Sequence, residues 1–118
     1  MTSKDRIRIQ ITISCPDFPF IRFCELISPL LSRDFGGATF DQTVGCWSKR
    51  AYEFSESYLP SHTPEPGVRV TLTVLLKDKQ RALLLLRRHL KEVSSSLSLE
   101  ITWVHTELLE VEIGHFKM

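Results

Sequence analysis

Isoleucine stands at every second position from 7 to 13 in RIRIQITIS, with Arg8, Gln10 and Thr12 in the gaps. A period of two, carried by β-branched side chains, describes a strand with one buried face and one wet face. CPDFPF then breaks the alternation. Asp17 is placed to cap a helix, because its carboxylate can accept from the free amides of a first turn, and Pro19 suits that turn. Phe20, Phe23, Ile27, Leu30 and Leu31 follow at helical spacing. Pro29 lies inside this helix and predicts a kink or break near Ser28, since it deletes an amide and crowds the carbonyl four residues back.

The helix should stop at FGG, residues 35–37. Gly36 can take the left-handed conformation that ends a helix, and Gly37 lets the chain turn into a strand. A phosphate loop would need the reverse order, with glycines after a strand and before a helix N-terminus. Residues 38–47 return to strand chemistry, and RAYEFSESY, residues 50–58, can pair with them as an extra hairpin. Gly45 inside the strand predicts a bulge that returns Trp47 to the face of Phe40 and Val44 and leaves Cys46 at the kink. LPSHTPEPG, residues 59–67, with three prolines and a glycine, reads as an exposed loop.

GVRVTLTVLL alternates cleanly again, with Val68, Val70, Leu72 and Val74 opposed to Arg69, Thr71 and Thr73. From Asp78 a long helix shows a stripe of Leu83, Leu86, Leu90, Val93 and Leu97, with Arg87, Arg88 and Lys91 on the outer side. LEITWVHTELLEVEI closes the chain as two strands or one bulged strand. Strand, helix, strand, strand, helix, strand, each with a single apolar side, is satisfied by two layers. The expected fold is therefore α+β: a two-layer ferredoxin-like βαββαβ sandwich in one domain, 1–118. Its antiparallel sheet carries both helices on one face, and the first and third main strands run through the centre. Arg8, Gln10, Thr12, Arg69, Thr71, Thr73, Glu100 and Thr102 should populate the other face.

Composition narrows what such a domain could do. Apolar residues make up 42% of the chain and charged residues 25%, the balance of a folded protein. Fifteen basic residues against 14 acidic ones argue against a partner held mainly by counterion release, so nucleic acid is not expected. Threonines rather than aromatics on the central strands also count against an RNA-stacking sheet. No apolar run reaches membrane-spanning length and no leader is evident, so no membrane contact and a cytoplasmic location are expected. Cys15, Cys24 and Cys46 are odd in number with no CxxC spacing, and are read as reduced thiols that serve packing. The histidines lack metal-site spacing, so no metal and no cofactor are assigned.

GGATFDQTVGCW followed by YEFSESY resembles a pattern in small bacterial and archaeal proteins: Gly-Gly-x-Thr, then Gly-x-Trp, then a Glu on the next strand. Gly36, Gly37, Thr39, Gly45 and Trp47 match it, with Glu53 or Glu56 at the acidic position. The resemblance implies a ferredoxin-like fold and brings no activity with it. The proline-rich insertion at 57–67 departs from the pattern.

Two functions fit these features. The first is a small non-catalytic binding or interaction domain that forms a homo-oligomer through its sheet face or an edge strand. A small-molecule ligand would then lie near the 45–56 hairpin, between walls of Trp47 and Tyr52, with Glu53, Glu56 and Arg69 as orienting charges. The second is a small enzyme of the dimeric α+β barrel type, in which His105 with Glu107, Glu53 or Glu56 forms a general-base pair. His105 and Glu107 share the parity of Ile101, Trp103, Leu109 and Val111, and otherwise mark a strand bending into water. A docking role for Arg87, Arg88 and Lys91 is the third reading.

Overall fold

A computed structural model describes residues 2–46, 64–101 and 104–118, with side chains from Asp5 onward. The chain forms β1 (Thr2–Ser14), α1 (Phe20–Phe35), β2 (Thr39–Gly45), β3 (Glu65–Leu75), a short 3-10 turn (Leu76–Asp78), α2 (Lys79–Ser96) and β4 (His105–Gly114). The strands make one sheet in the order β2-β3-β1-β4, antiparallel at every junction. The two cleanest alternators, β1 and β3, hold the centre. A central strand must bury one full side row, and only a strict period of two supplies it.

Both helices cover one side of this sheet. Ile7, Ile9, Ile11 and Ile13 from β1 and Val68, Val70, Leu72 and Val74 from β3 meet Phe23, Ile27 and Leu31 from α1 and Ala82, Leu86, Leu90 and Val93 from α2 in one core. Each fully buried branched side chain here contributes about 1.5–3 kcal/mol relative to exposure. Phe18 and Phe23 pack with ring centroids 5.2 Å apart and seal the open end of α1. Among the described residues no helix is long and apolar enough to cross a membrane.

Several local expectations are corrected. Asp17 does not cap α1. It adopts a left-handed φ of 57°, the helix cap falls on Pro19, and no side chain supplies a capping hydrogen bond. Pro29 does not break α1, which runs continuously from 20 to 35. Its ring sits on the exposed side of the helix, and the Ser28 hydroxyl donates to the Cys24 carbonyl beside it. Gly45 forms no bulge, because β2 stays in register with β3 through the pair Gly45↔Glu65. The only register shift recorded among the described strands lies in β1, between Ser3 and Arg6. β3 begins at Glu65, so the last three residues assigned to the proline-rich loop are already strand, with Pro66 near its start, where a missing amide is tolerated.

The end of α1 follows its expected chemistry. Gly36 is left-handed at φ 78° and its amide donates to the Ser32 carbonyl at 3.0 Å, while Gly37 takes φ 147°.

Candidate functional site

Four of the sequence-predicted site residues, Trp47, Tyr52, Glu53 and Glu56, lie outside the described residues, as do the 50–58 hairpin and Trp103. Arg69 is on β3, on the sheet face away from the helices, where its Nε stands 3.7 Å from an Asp41 oxygen across the β2–β3 ladder. The same face carries Arg6, Arg8, Gln10 and Thr12 from β1, and the cross-strand pairs Arg8↔Leu109, Gln10↔Glu107 and Thr12↔His105 put β4's contribution beside them. Glu100 precedes β4 and is not part of this face.

His105 and Glu107 do share a face, with His105 Nε2 3.8 Å from Glu107 Oε2. Both are more than half exposed, and no described cavity contains either. The parity argument failed between Ile101 and His105. Ile101 packs on the core, but the regular strand starts only at His105, and from there its row turns to the open face with Leu109 and Val111.

The titratable cluster at the helix seam is one that sequence reasoning passed over. Asp34, one turn beyond Leu31 on α1, accepts from Arg33 Nε at 3.0 Å and Nη2 at 3.2 Å. Its Oδ2 also lies 2.5 Å from Nε2 of His89 on α2. His89 is 3% exposed, and its Nδ1 has no hydrogen-bond partner among the described residues. The arrangement ties the helices together 55 residues apart in sequence. It orients a buried imidazole between the two helices.

Arg33 first, and His89 second, hold the Asp34 carboxyl down to about 2 from its ordinary 3.8. A carboxyl lowered in the folded state stabilises the protein fully above its unfolded value, and that contribution fades as pH falls through the folded value. Acid unfolding followed by circular dichroism should therefore show stability falling between about pH 4 and pH 2, and the fall should be shallower in Asp34→Asn.

Two hollows remain. The first runs between α2 and the sheet. Ile11 and Ile13 of β1 form its floor; Leu83, Leu86, Arg87, Leu90, Lys91, Ser94 and Ser95 of α2 form one wall; Leu99, Ile101, Val104 and Thr106 form the other. It encloses about 570 Å³ and has no acidic side chain among its described lining residues. It exists because α1 and α2 sit over β1 and β3 and leave the edge strand β4 unroofed. The second hollow, of about 580 Å³, is a notch at one end of the sheet, lined by Gly36, Gly37, Thr39, Thr71, Thr73, Arg6 and His115 among others. β2 partners β3 only from Thr71 downward, so β3 continues past it and opens this space. Its hydroxyls and cations suit an anion, but the carbonyl end of α1 beside Gly36 opposes one.

Cys15 is buried and its thiol is raised by burial and by Glu65 and Asp17; burial also raises Cys24. Cys46 is exposed rather than packed, which corrects the sequence reading. No cluster of three potential metal ligands occurs among the described residues. Comparison of the chain with protein-family models, with curated proteins and with solved structures finds no match.

Proposed function

We propose that this chain is a non-catalytic interaction domain on a ferredoxin-like frame, self-associating through the open face of its sheet. The observation that carries this reading is a face that neither described helix covers and that bears both charge signs beside an apolar strip. Leu109 is 57% exposed, with Val111 next to it on β4, and both lie opposite Arg8 and Arg6 on β1. Asp41 and Glu107 flank this basic row on the outer strands. An isologous contact needs one patch complementary to itself. A two-fold axis through this face would set the arginines of one copy against the carboxylates of the other.

The frame supports the reading too, because a sheet of order β2-β3-β1-β4 with helices on one side leaves its other side for a partner. The small-molecule site expected near residues 45–56 lies outside the described residues, and cytoplasmic residence stays part of the proposal. The alternative, a small enzyme in which two such sheets enclose a pocket, rests on His105 and Glu107 sharing the open face 3.8 Å apart, with Glu53 and Glu56 outside the described residues.

Light scattering across a concentration series tests the association. The wild-type mass should approach that of a dimer, and Leu109→Lys should shift the midpoint to roughly ten-fold higher concentration, equivalent to about 1.4 kcal/mol. A monomer mass throughout would remove the reading.

A further inference from the structure

We infer that the charge state of His105 gates association of the chain with a second copy. A neutral imidazole leaves Glu107 to an arginine of the second copy, and a protonated one holds Glu107 within its own chain. The inference rests on the self-association proposed above and adds its regulation. His105 Nε2 and Glu107 Oε2 stand 3.8 Å apart, and the side chains are 51% and 65% exposed. That separation is too long for a hydrogen bond but within reach of an ion pair. A neutral ring therefore holds the carboxylate weakly, whereas a charged ring attracts it. Histidine is the side chain that ordinarily changes charge between about pH 5 and pH 8.

The rest of the face leaves Glu107 dependent on this switch. Its cross-strand neighbour Gln10 donates its amide to the Thr71 hydroxyl at 3.2 Å. Arg8 lies diagonal to Glu107 on β1 without pairing with it, and neither Arg8 nor Arg6 has an ion-pair partner among the described residues. Asp41 already faces Arg69 at 3.7 Å, and Glu65 accepts from the Ser14 hydroxyl at 3.1 Å. From His105 the row across the sheet runs through Thr12 of β1 and Arg69 of β3 to Asp41 of β2, and the last two offset one another. Glu110 and Glu112 lie on the other side of β4 by parity, since Glu110 pairs with the core residue Ile7. Protonating His105 thus engages Glu107 and adds a positive charge beside two unpaired arginines. An isologous contact contains each change twice. Protons and the second copy compete for the same carboxylate, so acid should separate the copies.

Sedimentation equilibrium of the full-length protein at constant ionic strength, at about pH 7.5 and about pH 5.5, tests the gate. The wild-type midpoint concentration should be roughly ten-fold higher at the lower pH. His105→Gln, neutral at both, should associate like wild type at the higher pH and lose the shift. His105→Lys, charged at both, should associate at the higher pH as weakly as wild type does at the lower. The stability loss tied to Asp34 falls at lower pH and does not overlap this window. A dimer unmoved by pH, or a shift that survives in His105→Gln, would overturn the gate and leave the association standing. A monomer at both pH values would remove the two together.

Discussion

Replacing His89 by alanine should cost about 2–4 kcal/mol of folding free energy, the sum of a buried-ring cavity and a severed charge-assisted hydrogen bond. The ring is 3% exposed and belongs to the stripe Ala82, Leu86, His89, Leu90, Val93 that α2 presents to the core. Its Nε2 contact with Asp34 is the polar link between the helices, and Arg33 already shares the same carboxylate. Urea unfolding measures the loss. His89→Leu fills most of the volume and leaves Asp34 paired with Arg33, so it should recover more than half of the alanine deficit. Equal losses for the two variants would show that the hydrogen bond, and not the packing, dominates.

Gly67→Ala should be the other severe change, by about 1–3 kcal/mol or more, since added volume has nowhere to go. A Cβ at Gly67 would overlap the Ile13 carbonyl oxygen and lie 2.8 Å from the Ser14 Cβ. Gly67 pairs with Ser14 at the end of the central β1–β3 ladder and with Thr43 of β2, so its backbone cannot shift without disturbing both neighbouring strands. The comparison variant is Gly37→Ala. There a Cβ meets nothing within 4 Å, but φ is 147°, so its penalty is conformational alone. Hydrogen exchange separates the two. Gly67→Ala should speed exchange at Ile13 and Val68, whereas Gly37→Ala should leave the sheet interior protected.

The layers were legible in the sequence because they rest on unbroken periodicities. Ile7 to Ile13 and Val68 to Val74 could face only one way, and Phe23, Ile27 and Leu31 could cover them only from one side. The Gly36 helix stop was legible for the same kind of reason, one residue type meeting one backbone requirement. Parity did not survive an interruption. Ile101 and His105 are four apart, yet they serve opposite faces because the chain between them is not continuous strand. Pro29 misled because the rule against proline in helices concerns an amide and a clash, and neither prevents continuation on an exposed side.

The helix-seam cluster had a signal that went unused. Asp34 stands three residues after Leu31, and His89 three after Leu86, so both extend apolar stripes. The neighbours Arg87 and Arg88 are exposed, so the immediate sequence context of His89 disguises its burial. The hollow between α2 and the sheet had no sequence signal at all. It arises from where two helices lie on a four-stranded sheet, a property of the assembled layers that no single segment encodes.

Strand β4 is an outer strand whose far side carries no neighbour among the described strands. Backbone amides and carbonyls along such a border would accept any extended peptide, including a misfolded copy, and grow the ladder without limit. Glu107, Glu110 and Glu112 are all exposed along it, interleaved with Leu108, Leu109 and Val111. Ionised carboxylates at that spacing repel a like-charged strand approaching in line and hold water against the hydrocarbon between them. The same ten residues thus present hydrocarbon over the sheet face and charge along the border, a pattern that disfavours open-ended growth of the ladder.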